Sequence, residues 1–173
     1  SNEGINNTTV LCRSNKRANL YNQQIRAKIR WQENEISAGD MLMVVRNNYF
    51  WLDDDSKDDD SKAGFIANGD IVEVVRIKKT IERYGFRFAK ATVKMVDYLQ
   101  EKELDVILLL DTLTSESPAI TYEQYKQLYK EVGLDYKGQK EINKKIKEDE
   151  FFNALQIKFA YAITCHKSQG GQW

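Results

Sequence analysis

A succession of short β-rich runs, separated by glycine-bearing or polar turns, constrains this 173-residue chain more than any other feature. Met41 to Val45, Ile71 to Ile77 and Phe86 to Val96 are rich in β-branched, aromatic and methionine side chains. Gly39-Asp40 precedes the first run, and Gly85 sits at a hairpin turn between the last two. Phe86, Phe88 and Val93 alternate imperfectly with Arg87, Lys90 and Lys94, the pattern of a half-covered strand. Short strands in succession predict a small antiparallel barrel over residues 37–97.

The flanks read differently. Thr8 to Arg13 is a short buried strand, and Asn15 offers a cap for a helix running to about Trp31. Ala18, Tyr21, Ile25 and Ile29 recur there at helical spacing as an apolar face, leaving Arg17, Lys28 and Arg30 to solvent. Asp105 to Leu113 is a further strand, closed by a polar turn ending at Pro118. Thr121 and Glu123 open a helix whose stripe of Tyr122, Tyr125, Leu128, Tyr129 and Val132 stops near Gly133. A charged helix follows over 139–148, and strand character resumes over 156–164, with Ile157, Phe159, Tyr161 and Ile163 on one face.

The formal charge is zero, which excludes a uniformly basic nucleic-acid coat, yet the charge is strongly blocked. Residues 1–31 carry net +5 and 76–94 net +6, against −4 over 53–62 and −5 over 97–117. A basic stripe with acidic flanks can still hold phosphates. The pentad Asp-Asp-Asp-Ser-Lys occurs twice in succession within 53–62 and reads as a solvated loop. It lacks the glycine and terminal glutamate that a calcium loop needs. The two cysteines, Cys12 and Cys165, stand far apart beside a single histidine, so neither a zinc site nor a disulfide framework is expected. No apolar run approaches the roughly 20 residues that span a bilayer, and the expectation is a soluble, cytoplasmic protein without a membrane partner.

The last strand runs into Thr164-Cys165-His166-Lys167-Ser168-Gln169-Gly170-Gly171. A polar turn of this kind exposes backbone N–H groups, and hydroxyl, amide and ammonium side chains beside them can ligate phosphate oxygens. Glycine there lets a ligand approach closely. On physical grounds alone a strand end followed by an ordinary polar turn is the favoured account of it.

Ala162-Ile163-Thr164-Cys165-His166-Lys167-Ser168-Gln169-Gly170 resembles motif V of RecD-like superfamily 1 DNA helicases (exodeoxyribonuclease V alpha-like, with a UvrD-like C-terminal domain), the pattern A-x-T-x-H-K-S-Q-G. Thr8 to Arg26, with Ser14-Asn15-Lys16-Arg17 and Asn22, is similar to the strand and helix that open the second motor domain of that family. Phe65-Ile66-Ala67-Asn68-Gly69-Asp70-Ile71-Val72-Glu73-Val74 is similar to the start of its inserted SH3-like barrel. The resemblance implies an α/β fold: a partial RecA-like second motor domain, a parallel sheet with helices, over 3–35 and 154–173. An inserted domain would occupy 36–153, as the barrel at 37–97 and a mixed strand and helical extension over 98–153 that matches nothing in the family.

It further implies a motor that couples ATP hydrolysis to movement along single-stranded DNA in recombination or repair. Ser14, Asn15, Thr164, His166, Lys167 and Ser168 would lie at the DNA track, with His166 in an organising role. Gln169, Gly170 and Gln172 would couple that track to the nucleotide, although Gln172 stands where the family often has an acidic residue. Arg83, Arg87 and Lys90 of the basic block would meet DNA backbone at the edge of the track. The implied partners are single-stranded DNA, motor domain 1 of the same parent chain, and nuclease or recombination subunits. ATP and Mg would belong to the parent: no G-x-x-x-x-G-K-[ST] occurs in the sequence, so a piece of a larger enzyme, itself inactive and with no catalytic or metal residues of its own, is expected.

A reading from a different class is a non-catalytic nucleic-acid-binding or adaptor module built on the small barrel, which explains the missing ATP loop directly. A hydrolytic pair of His166 and Ser168 fails because no acid is placed to orient the imidazole. Trp51 beside Tyr49 and Phe50 is the best candidate for an exposed stacking platform.

Overall fold

The computed structural model describes residues 8–31, 34–52, 64–96 and 102–168. The duplicated pentads and Gln169, Gly170, Gln172 and Trp173 lie outside the described residues. In chain order the elements are β1 (Val10–Cys12), α1 (Asn15–Lys28), β2 (Met41–Val44), β3 (Ile71–Arg83), β4 (Phe86–Met95), β5 (Glu103–Leu109), a 3-10 turn (Leu110–Thr112), α2 (Tyr122–Asp135), α3 (Ile142–Lys147), β6 (Leu155–Phe159), β7 (Ala162–Thr164) and α4 (Cys165–Ser168).

Strands β2 to β6 close into one five-stranded barrel in the order β2-β3-β4-β5-β6. Its pairings are antiparallel except β5 with β6, which run parallel from Leu108↔Leu155 to Leu109↔Gln156. The hairpin joining β3 to β4 turns through Tyr84 (φ 58°) and Gly85 (φ 77°). Two central residues at positive φ make the tight turn whose twist matches that of the strands, and glycine supplies half of it without strain. Tyr84, which lacks that freedom, is anchored by its hydroxyl on Asp135 at 2.5 Å. Register shifts between Val74 and Arg76 and between Ile77 and Lys79 bend β3 around the barrel.

Period-two alternation then divides the apolar residues between two cores. Odd positions of β4, Ala89, Ala91, Val93 and Met95, point into the barrel with Leu42, Val72, Val106 and Ile157. Even positions Phe86 and Phe88 point outward, where with Ile107 and Leu109 they are covered by Leu128 and Val132 of α2, Ile146 of α3, and Phe151. Phe88 and Phe151 meet edge to face at 5.1 Å. Helix α2 begins in a reciprocal capping box between Thr121 and Gln124 and passes through Gly133, where a Cβ would come within 3.1 Å of Ile146 Cδ1.

The expected α/β architecture is corrected by this topology. A RecA-like domain needs a parallel sheet of several strands covered by helices, whereas the only described parallel sheet outside the barrel is the pair β1–β7, three residues each. The barrel also differs from the small antiparallel one expected over 37–97, because it takes in β5 and β6 and contains a parallel pair. The physical reason lies at Ala160-Tyr161. The run 156–164, read as one strand, breaks there into β6, which serves the barrel, and β7, which serves β1. Asn22 of α1 holds the break open: its Nδ2 donates to Phe159 O (3.2 Å) and Ala162 O (2.9 Å), and its Oδ1 accepts Ala162 N–H (2.6 Å). Side-chain hydrogen bonds thus stand where a continuous ladder would have been, and the buried backbone groups remain satisfied.

Helix α1 is likewise not the expected one. Ser14, not Asn15, is its N-cap, accepting Arg17 N–H at 3.3 Å. Its buried residues are Ala18, Asn22 and Arg26, while Tyr21 and Ile29 of the expected apolar face are exposed. Arg26 reaches Asp40 through Nε (3.0 Å) and Nη2 (2.9 Å), donates to Asn34 O, and lies 4.4 Å over the Phe159 ring. Ala18 and Ile25 of the expected face do pack inward, so the helix docks through apolar and polar groups together.

Candidate nucleic-acid interface

Strands β1 and β7 run parallel in the register Val10↔Ala162, Leu11↔Ile163 and Cys12↔Thr164, so both end at one level. Ser14-Asn15 follows the first and Cys165–Ser168 the second, and residues about 150 apart in sequence meet at the carboxyl ends of two parallel strands. In open α/β sheets that edge is where ligands gather, because turns there leave N–H groups and short polar side chains unshielded. Ser14, Cys165 and His166 are exposed, and Asn15, Thr164, Lys167 and Ser168 are half-buried. Arg13, Lys16 and Arg17 are exposed on the first turn beside them.

Beneath this edge is a polar network that reading for apolar recurrence misses. Asn15 Nδ2 donates to Glu116 O (3.0 Å), and Asn19 Nδ2 to Thr114 O (2.9 Å) and Ser115 O (3.1 Å). Lys158, almost fully buried, donates to Thr112 O (3.0 Å) and Ser115 O (2.6 Å). Burial, with the Lys167 ammonium nearby, lowers its pKa to about 8. A crevice of about 10 Å³, room for roughly one water molecule, lies between Asn15, Asn19, Lys158, Thr164 and Lys167. The signal in the sequence is Asn15, Asn19, Asn22 and Arg26, a polar stripe at the spacing usually reserved for apolar ones.

The individual motif residues have distinct tasks. Lys167 donates to Asn68 Oδ1, tying the turn to the segment before β3, and burial lowers its pKa. Ser168 Oγ donates back to Cys165 O at 2.7 Å. The His166 ring has no hydrogen-bond partner among the described residues. Cys12 is buried and Cys165 exposed, both as free thiols; burial and the neighbouring Cys165 raise the Cys12 pKa.

The basic residues Arg83, Arg87 and Lys90 stand elsewhere, on the β3–β4 hairpin against α2. No described hydrogen bond or ion pair joins them to the 164–168 turn. Arg83 bonds Asp135 at 2.8 Å and lies over the Tyr84 and Phe151 rings. Arg87 grips Glu35 with both terminal nitrogens and approaches Glu82 at 3.8 Å. Lys90 lies 6.0 Å from the Phe151 ring. Lys78 pairs with Asp105 at 2.6 Å. Much of the net charge of the block is thus neutralised by acids distant in sequence.

Of the expected platform, Tyr49 is exposed and stacks on Phe65 at 4.8 Å. Trp51 is half-buried instead, its Nε1 donating to Asn153 O. The sequence has no phosphate loop, and among the described residues no group of three or more His, Cys, Asp or Glu could hold a metal ion.

No protein-family model matches the chain, and a search of curated proteins finds no match. Among the described residues no helix is long and apolar enough to cross a membrane.

Proposed function

We propose that the chain is a DNA-contacting piece of an ATP-dependent single-stranded-DNA translocase of RecD-like kind, working in the cytoplasm in recombination or repair. ATP and Mg are held elsewhere in the parent, by motor domain 1, and nuclease or recombination subunits are its further partners. The observation that carries this reading is the convergence of Ser14-Asn15 with Thr164 to Ser168 at one strand edge, because these are the two segments assigned to the DNA track by their sequence. Hydroxyls of Ser14 and Thr164 and the amide of Asn15 are of the right chemistry to meet phosphate oxygens without reading bases.

In the parent enzyme, Ser168→Ala and Gln169→Ala are expected to slow unwinding at limiting DNA, with the fold retained by circular dichroism. The chain alone is expected to show no DNA-stimulated ATPase activity. Wild-type unwinding by both variants, or rapid ATP turnover by the isolated chain, would overturn the assignment.

A second reading is favoured by the closed barrel, which dominates the described residues: a non-catalytic nucleic-acid-binding or adaptor module. Binding of single strands by a full-length parent that never hydrolyses ATP would select it.

A further inference from the structure

We infer a second binding site, in the cleft between the 46–50 loop and the layer of Tyr125 and Phe152, for a single-stranded segment of nucleic acid. The inference does not rest on the reading of the 164–168 turn. The cleft holds about 310 Å³, at the lower end of the roughly 300–1,000 Å³ of ligand clefts, enough for one or two bases of a strand passing through.

Its lining has three properties that agree on this occupant. Aromatic rings come from both walls: Tyr49 and Phe50 on one, Tyr125 and Phe152, 5.4 Å apart, on the other. Both cations in the lining, Arg46 and Lys147, are exposed, and neither makes an ion pair with any described residue, unlike Lys78, Arg83 and Arg87. Among the described residues no carboxylate lines the cleft. Arg46 already lies 5.6 Å over the Tyr125 ring, presenting a flat guanidinium beside flat rings. Bases stack on such surfaces whatever their identity, while the cations follow the phosphates. The amide nitrogens of Asn47 and Gln156, without hydrogen-bond acceptors among the described residues, are free to bond base edges. An acidic peptide would satisfy the two cations but leave the rings unused.

The wall is also built to keep its shape. Asn153 O accepts both Asn48 Nδ2 and Trp51 Nε1 at 2.8 Å, and Asn48 Oδ1 accepts Phe50 N–H at 3.0 Å. Asn153 Nδ2 in turn bonds Lys147 O and Asp149 O. A wall held in this way loses little conformational freedom when it binds.

The test is a fluorescence-anisotropy titration of the whole chain with fluorescein-labelled oligo(dT) of about twelve nucleotides, repeated over a range of salt. Arg46→Glu with Lys147→Glu is expected to raise Kd by about tenfold or more and to lower the log–log salt slope by about 1.4, two phosphate contacts at roughly 0.7 each. Tyr49→Ala is expected to raise Kd with the slope unchanged, since a ring carries no charge. All three side chains are exposed, and an unchanged melting temperature checks that the variants fold. Unchanged Kd and slope in both variants overturn the site. So does displacement of the oligonucleotide by an equal concentration of oligo-glutamate, which assigns the cleft to acidic peptide. Loss of binding in Thr164→Ala/Ser168→Ala but not in the cleft variants also overturns the cleft and leaves the turn standing. Loss in the cleft variants alone supports the cleft while removing the turn from the DNA track.

Discussion

Asn22 and the backbone of Ala162 bond each other in both directions, Oδ1 accepting Ala162 N–H at 2.6 Å and Nδ2 donating to Ala162 O at 2.9 Å. One side chain thereby fixes the point where a single apolar run stops serving the barrel and begins to serve β1. Asn22→Leu keeps the approximate volume and removes these bonds together with that to Phe159 O. The expected loss is about 2–3 kcal/mol, given roughly 1–3 kcal/mol for each buried group left unsatisfied. Urea denaturation measures it, and a loss below about 0.5 kcal/mol would show that the break is set by the strands themselves.

Asp40 is fully buried and accepts from Arg26 Nε and Nη2, from Ser37 N–H and from the Tyr161 hydroxyl. Asp40→Ala leaves a buried guanidinium with no counter-charge and is expected to cost about 3–5 kcal/mol. Replacing both partners, Arg26→Met with Asp40→Leu, removes the stranded charge and is expected to recover more than half of that. A double variant as unstable as the single one would contradict the account.

These two contacts also mark where the sequence is legible. Strand runs at 41–45, 71–77 and 86–96 are visible because β-branched and aromatic residues cluster between turns, and the Thr121 cap because its capping box is local. Strand partners are not visible in this way. Nothing in 156–164 alone says that its first half pairs with β2 and its second with β1, since both halves are apolar and the switch depends on Asn22, about 140 residues away. The RecA-like expectation failed for that reason. Of the site, the 164–168 turn and Ser14-Asn15 were found as segments, but the buried Lys158 and the asparagine stripe of α1 were not, because amphipathic patterning counts apolar residues only. Of the cleft at 46–50, the sequence shows only the aromatic cluster Tyr49, Phe50 and Trp51.

Lys158 makes the stability depend on pH. Its folded pKa of about 8 lies below the usual 10.5, so the unfolded chain binds more protons between those values. The contribution is present above 10.5 and is lost as pH falls through 8. Tyr161 acts oppositely: burial lifts its hydroxyl to about 12 from 10, a contribution present below 10 and lost as pH rises to 12. Between pH of about 7.5 and 9.5 the lysine dominates, and the wild type should gain on the order of 1 kcal/mol relative to Lys158→Met. Parallel stability curves for the two proteins across that window would show that the Thr112 and Ser115 carbonyls keep the ammonium charged at no cost.

On the outer face of the β3–β4 hairpin, Lys79 and Lys90 are direct cross-strand partners. Directly opposed residues of an antiparallel pair share a face, so two ammonium groups are held side by side, and like charges so placed destabilise the hairpin. Arg83 and Arg87 of the same block face Asp135 and Glu35, and must break those pairs to meet a phosphate. Lys79 has no described partner, and Lys90 has only the Phe151 ring at 6.0 Å. A phosphate bridging the two lysines relieves their repulsion, whereas one approaching either arginine competes with a carboxylate already in place. On the proposed reading of the chain as DNA-contacting, backbone contact within the basic block should therefore fall on Lys79 and Lys90. Lys79→Ala and Lys90→Ala are each expected to lower the salt slope of single-strand binding by about 0.7, and Arg83→Ala and Arg87→Ala by less than about 0.3. Lys79→Glu should in addition raise the melting temperature slightly, by turning a like-charge pair into an opposite one. Arginine variants that lower the slope as much as the lysine ones would mean that the ion pairs open onto the strand, and that the whole hairpin ridge follows the phosphates.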